Sequence, residues 1–276
     1  MTGIKRYLVD RQDQPVRRRK RSIFAYIPDM GRWEESPYHP ICPSEPRPVV
    51  VVHGTVGGRG NFSRLVPILQ STFDGRSRRV FSASYGEAGT TDLQESVLEI
   101  EDQLLELQRM IGASSFDVVA HSQGGLQSLL VASRERAGYL VNHIVGLGAD
   151  FRGVRMPWSG TPQAETINKW VHAIAGPAFA QQIVGSPELA EIMAHVSSCT
   201  VPITQIATKH DRTVPMEAAF ALADHHEWTG TPPHPGPLKL VLVQDYYPDL
   251  SVAHNMLLRN PKVALLVKYA LEHPPS

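Results

Sequence analysis

Ala120-His121-Ser122-Gln123-Gly124 sets a serine between small residues two before and two after it. A serine hydroxyl becomes a useful nucleophile on a strained strand-to-helix turn, where neighbouring backbones approach too closely for large side chains at those two positions. The pentapeptide alone is weakly specific, and its surroundings sharpen it. Phe116 to Ala120 is an apolar run, Leu126 to Ser133 reads as a helix, and Gly125 adds further room; no other serine has that setting. Ser122 is therefore the candidate nucleophile, and the chemistry is acyl transfer.

Such a serine needs a base to take its proton and a carboxylate to hold the base, and where the serine sits on a strand-to-helix elbow the chain order is serine, acid, histidine. His225, His226, His234, His254 and His273 all follow at suitable distance. Only His254 falls in a loop between a strand (238–243) and the C-terminal helix, at the edge where Ser122 lies. His225-His226 reads as decoration of a helix end and His273 as part of the tail. The acid belongs after the preceding strand, where Asp211 stands in Ala207-Thr208-Lys209-His210-Asp211-Arg212. Asp150, Asp245 and Asp249 are reserve acids. A tetrahedral intermediate also needs backbone N–H donors. One is expected from Gln123, the residue after the nucleophile, and one from Thr55 in the glycine-rich turn His53-Gly54-Thr55-Val56-Gly57-Gly58. His121 should turn away beneath the elbow, and His172 and His195 should face solvent.

The elements that must position these residues follow from periodicity. Val49-Val50-Val51-Val52 is a β-branched run of the kind buried on both faces of a parallel sheet. Strands are also expected at 79–85, 116–120, 144–147, 203–207 and 238–243. Between about 92 and 111, Leu93, Val97, Ile100, Leu104, Leu107 and Ile111 step by four and three, one face of a helix, with Glu99, Glu101, Asp102 and Glu106 off that face and Gly112 ending it. A last helix is expected at 261–271, opened by Pro261. Strands alternating with helices imply a mostly parallel α/β sheet. The tract 150–200 carries two amphipathic pieces, one with Ile167, Trp170, Val171 and Ile174, the other with Leu189, Ile192, Met193 and Val196 behind Ser186-Pro187. It reads as a cap over the carboxyl edge of the sheet, where open α/β folds bind ligands.

Composition narrows the function classes. With 276 residues, 42% hydrophobic and 20% charged, the chain fills a substantial core. Lys and Arg (27) balance Asp and Glu (27), which gives no argument for nucleic acid as a partner. No apolar run is long enough for a transmembrane segment. Eight basic residues among the first 22, against Asp10 and Asp13, make a basic arm over 1–39 ahead of the main domain at 40–276. The arm is read as solvated, or as a contact with an anionic surface or another subunit. The apolar run after Arg21 is too short for a signal peptide, which favours a cytoplasmic location; a secreted one stays open if a leader has been removed. Cys42 and Cys199 give no zinc-ligand spacing, so no metal site is expected, and sequence leaves open whether they pair.

Val51-Val52-His53-Gly54-Thr55, Asp117 to Gly125, Val243-Gln244-Asp245 with Asp249 and His254-Asn255, and Gln181 to Pro187 together resemble the bacterial lipase class 2 family of α/β-hydrolases over about residues 40–272. The resemblance implies an α/β-hydrolase fold, with a mostly parallel central sheet flanked by helices and a helical cap of about 152–197 inserted before the strand carrying the acid. It also implies cofactor-free hydrolysis of carboxylic esters through an acyl-enzyme, using Ser122, Asp211 and His254 with Thr55 and Gln123 at the oxyanion. The chain departs from the family at Ala120, usually glycine. It departs again at Gly176, Phe179 and Tyr247, which look like the positions of cysteines in secreted relatives. The expected function is thus a lipase or carboxylesterase acting on a small-molecule or lipid ester. A thioesterase or acyltransferase on the same residues is the alternative, and a non-catalytic binding protein of this fold is the more distant one. Met156, Trp158, Trp170, Ile174, Phe179, Ile183 and Met193 are the candidates to line an acyl site, with plain core packing of the cap as the competing role.

Overall fold

The computed structural model describes residues 40–157, 159–223 and 232–276. The basic arm, Trp158 and the pair His225-His226 lie outside the described residues. Six strands form one sheet: β1 (Val49–Val52), β2 (Val80–Ala83), β3 (Phe116–His121), β4 (Val141–Leu147), β5 (Ile203–Ala207) and β6 (Leu238–Leu242). Their order is β2-β1-β3-β4-β5-β6, with every pairing parallel.

Alternate residues of each strand enter separate cores, because successive side chains point to opposite faces. Val50, Val52, Phe81, Val118, Ala120 and Ile144 pack with α2 (Leu93–Ile111) and α3 (Gln123–Ala132). Val49, Val51, Val80, Val119, Val145 and Ile206 pack with α1 (Val66–Leu69) and α7 (Pro261–Glu272). This two-sided burial is the reason an unbroken valine run, with no polar alternation, makes the second strand from the edge.

Helix α2 has the expected boundaries. Asp92 caps it by accepting from the Gln94 and Glu95 N–H groups, and Gly112 ends it at φ 67°. Its expected polar face needs one correction. Glu101 is fully buried and pairs with Arg134 at 2.9 Å and Arg136 at 3.6 Å. The segment after α3 folds back over α2 and covers a position that helical spacing alone assigns to water.

Among the described residues three helices occupy the segment between β4 and β5: α4 (Ala164–Ala175), α5 (Pro177–Gln181) and α6 (Pro187–Val196). Helix α6 forms as read: Ser186 accepts from Leu189 N–H, Pro187 takes the first turn, and Leu189, Ile192, Met193 and Val196 are buried. In α4 Trp170 is 67% exposed, so the apolar stripe expected there does not all pack inward. Cys42 is exposed, Cys199 is buried, and both are free thiols.

The chain runs from β1 outward to β2, then crosses back to β3 on the other side of β1. Strand order reverses between β1 and β3, and the crevice at their carboxyl ends is where open α/β sheets hold ligands. The two loops that leave these strands carry His53-Gly54-Thr55 and Ser122.

Candidate active site

Ser122 lies between β3 and α3 with φ 53° and ψ −132°. This is a region of backbone space that suits glycine and strains an L side chain. Two backbone bonds fix the turn, Ser122 N–H to Leu147 O at 3.2 Å and Gly125 N–H to Ser122 O at 2.9 Å. The small neighbours are obligatory. A Cβ on Gly124 would lie 2.4 Å from Val52 O and 2.6 Å from His53 O, and one on Gly54 would lie 2.7 Å from Ser122 Cβ. Gly124→Ala is accordingly expected to cost about 3 kcal/mol, since the obstruction is backbone that cannot rotate aside. Urea unfolding checks this; a loss of under ~0.5 kcal/mol would mean that the elbow relaxes.

Asp211 and His254 come together across the ends of β5 and β6. His254 Nδ1 is 2.7 Å from Asp211 Oδ2, and both side chains are buried. The other carboxylate oxygen, Oδ1, accepts from the N–H groups of Thr213 (2.9 Å) and Val214 (2.8 Å), so the acid is held at both ends. Gly148, at φ 52°, sits beneath the pair: a Cβ there would come 2.8 Å from Asp211 Oδ2 and 3.1 Å from His254 Nδ1. The loops bearing the acid and the histidine are tied by Gln244. It receives Lys209 N–H at 3.0 Å and donates to Thr208 Oγ1 (3.0 Å) and Leu250 O (2.8 Å). Thr208 in turn donates to Val252 O at 3.1 Å.

The N–H groups of Thr55 and Gln123 have no acceptor among the described residues. Their side chains are linked: Thr55 Oγ1 donates to Gln123 Oε1 and accepts from Gln182 Nε2 at 3.2 Å. Gln182, just after α5, thereby joins the β4–β5 segment to both loops. Beneath Thr55, His53 stacks on Tyr85 at 4.3 Å, and the Tyr85 hydroxyl donates to His53 O. Burial lowers His53 to about 4 and keeps it neutral. His121 is likewise held neutral, first by burial and then by the nearby His254. It packs 4.5 Å from the His254 ring with Nε2 3.3 Å from His254 O, under the histidine loop.

Among the reserve acids, Asp245 and Asp249 are exposed. Asp150 is 1% exposed, and its Oδ1 lacks a hydrogen-bond partner. Burial, foremost, raises it to about 6, with Asp211 adding to the rise and His254 opposing it. Below its ordinary 3.8 it is protonated folded and unfolded alike, and it costs nothing. Between 3.8 and about 6 the unfolded chain ionises first, so stability falls as pH rises; above that the full penalty stands. Asp150→Asn removes the titration. The variant's stability relative to wild type should therefore improve by about 2–3 kcal/mol between pH 4 and pH 8. Denaturant unfolding at both pH values reads this, and a pH-independent difference would show that Asp150 titrates normally.

The other histidines lie elsewhere. His234 is buried against Val201 O at 2.7 Å, His273 stacks on Tyr269, and His172 and His195 are exposed as expected. The residues expected to line an acyl site divide. Ile183 and Met193 are wholly buried, and Met193 belongs to the core shared with α3. Neither offers a surface to a ligand: α6 packs Met193 down on α3, and Ile183 is bridged to Val154. Met156 and Phe179 are partly buried, Trp170 faces solvent, and Trp158 and the side chain of Ile174 lie outside the described structure. A cavity of about 840 Å³ in the segment is lined instead by Glu165, Lys169, His172, Gln181 and neighbouring residues. Sequence reading assigns no role to Gly148, Gln182 or Gln244, the two glutamines entering it only within the stretches that carry the family resemblance. The only signals they carried were a glycine after a strand and glutamines beside functional loops.

Among the described residues no cluster of three or more His, Cys, Asp or Glu side chains is arranged to hold a metal, and no helix is long and apolar enough to cross a membrane.

Comparison with known proteins agrees with this architecture. Lipase B of Aspergillus fumigatus superposes with a TM-score of 0.64 at 20% identity, over 85% of this chain and 56% of its own length. The chain thus spans little more than half of that lipase. The monoacylglycerol lipase of Paleococcus ferrophilus gives 0.53 at 14% identity, over 83% of this chain and 97% of that one. Est1E from Butyrivibrio proteoclasticus, solved with ferulic acid bound, gives 0.52 at 14%, over 83% and 88%. No curated protein sequence matches the chain. The sequence profile of the alpha/beta hydrolase family matches residues 49–268, most of the chain, and the parallel sheet and its connections are those of that fold. The chain belongs to the alpha/beta hydrolase family.

Proposed function

We propose that the chain is a serine hydrolase that cleaves carboxylic esters, as a lipase or carboxylesterase, with Ser122 as nucleophile, His254 as base and Asp211 as the acid that orients it. The observation that carries this reading is the Asp211–His254 pair, buried at 2.7 Å at the sheet edge where the strained Ser122 turn emerges. The lipase and esterase neighbours and the bacterial lipase class 2 resemblance support esters as the substrate class.

His254 Nε2 takes the Ser122 proton as Oγ bonds to the ester carbonyl carbon. The carbonyl oxygen becomes an oxyanion held by the Thr55 and Gln123 N–H groups. The C–O bond to the alcohol breaks, and the alcohol leaves with the proton from His254. Water, deprotonated by His254, then attacks the acyl-enzyme, and Ser122 recovers its proton as the carboxylic acid departs. Asp211 stabilises the imidazolium formed in each half. No cofactor enters these steps. The helical segment of about 152–197 acts as a cap, joined to the oxyanion loop through Gln182.

A series of p-nitrophenyl esters from C2 to C16, with fluorophosphonate labelling and peptide mapping, tests the reading. Ester turnover with the label on Ser122 is the expected result. Turnover of acyl-CoA with none of the oxygen esters would make the chain a thioesterase, and the absence of both turnover and labelling would sink the hydrolase reading.

A further inference from the structure

Four of the large apolar side chains exposed on the described surface are gathered at one place: Phe73 (54%), Tyr246 (55%), Leu265 (43%) and Tyr269 (46%). Together with Tyr247 and Leu266 they line a groove of about 370 Å³ between α7 and β6, the edge strand of the sheet. The groove shares no residue with the candidate active site. Three of its rings each carry a lysine: Lys239, which lines the groove, has Nζ 5.2 Å from the Tyr269 ring centre, the exposed Lys262 has Nζ 5.2 Å from that of Tyr247, and Lys268, itself buried, has Nζ 4.8 Å from that of Phe73, so the rim that a ligand meets is Lys239 and Lys262. None of these ammonium groups pairs with a carboxylate among the described residues; Lys268 reaches Ser71 Oγ at 3.2 Å. Glu272 is engaged with Arg78 and Phe73 N–H, and Asp74 with Arg76, while the exposed Asp245 stands directly before Tyr246.

An aromatic and aliphatic floor beneath uncompensated cations selects its occupant by chemistry. The floor takes an apolar chain and the rim takes a negative head. The volume lies at the small end of ligand pockets, which fits one acyl chain and not a two-chain lipid. A second copy of the chain docked on this face about a two-fold axis would bring Lys239 and Lys262 of both copies together. We infer that this groove is a binding site for a single-chain anionic amphiphile, a medium- to long-chain carboxylate, with its tail on Tyr246, Leu265 and Tyr269 and its head at the lysine rim. This inference stands whether or not the chain hydrolyses esters.

The test is calorimetric titration of the full chain with laurate below its micellar concentration, with dodecyltrimethylammonium as the cationic counterpart. Laurate should bind and the cation should not. Leu265→Glu puts a carboxylate onto the floor at an exposed helix position and should weaken laurate at least about tenfold, because it sets a charge against the tail and competes with the head for Lys262. Tyr269→Ala, also at an exposed position, is the second groove variant, and Lys239→Ala should weaken the head contact. Ser122→Ala should bind laurate as wild type does at this groove. Laurate binding that both Leu265→Glu and Tyr269→Ala leave unchanged would overturn the inference. So would equal binding of the cation, or binding only to anionic phosphatidylglycerol vesicles and never to the monomer. A dimer abolished by Leu265→Glu in the absence of laurate would assign the groove to a second copy instead.

Discussion

Replacing Ser122 by alanine is expected to lower kcat for ester hydrolysis by about 10⁶ while the protein stays folded. The nucleophile and its base act as one unit, so losing the hydroxyl removes the whole acyl-enzyme route. The remaining acceleration over water, about 10³–10⁴, comes from binding and the oxyanion donors. The turn provides a control that a merely structural serine would not show. At φ 53° and ψ −132° an L residue is strained by about 1–3 kcal/mol, and alanine keeps that strain because it keeps Cβ. Glycine relieves it. Ser122→Gly should therefore be as inactive as Ser122→Ala yet measurably more stable in urea unfolding, separating chemistry from folding at one position. A Ser122→Ala enzyme within tenfold of wild type would remove Ser122 from the mechanism.

That the two variants can be framed at all reflects how much of the elbow was written in local sequence. The glycines at 124 and 125 are a steric record, of Val52 O and His53 O 2.4 and 2.6 Å from a Cβ added at 124 and of Ala149 Cβ 2.4 Å from one added at 125, and such a record survives in one dimension. The valine run of β1 and the stepped leucines of α2 are legible for the same reason: burial on a strand or helix has a period. What sequence does not record is contact between separate loops. Gln244 reads as an ordinary polar residue until β6 brings it beside Thr208 and Leu250. Gly148 reads as a turn until Asp211 and His254 are seen resting on it. Glu101 is assigned to water by helical spacing, whereas the segment after α3 covers it. The acyl-site residues were chosen by type within an irregular segment, and there type cannot separate a side chain that packs on α3, as Met193 does, from one turned to solvent, as Trp170 is.

The second large effect is expected at Asp211, where asparagine should lower kcat by about 10⁴ with little change in KM. The reasoning starts from which way the amide must sit. Oδ1 accepts two backbone N–H groups, from Thr213 and Val214, so in Asp211→Asn the amide oxygen takes that position and the NH2 group is left at the Oδ2 position, facing His254 Nδ1. An NH2 there donates to Nδ1, which must then carry no hydrogen. The ring proton moves to Nε2, and a protonated Nε2 cannot accept the proton of Ser122. The geometry around the acid is preserved while the tautomer of the base is reversed, so the loss falls on kcat. Alanine at 211 removes the acceptor of both N–H groups and should add a loss of stability of about 1–3 kcal/mol that asparagine avoids. The pair of variants also decides between acids. If Asp150, buried near His254, supplied the orienting carboxylate, Asp211→Asn would stay within tenfold of wild type and the large loss would appear in Asp150→Asn instead. Steady-state kinetics on one soluble ester, with both asparagine variants measured beside wild type, distinguishes the two assignments directly.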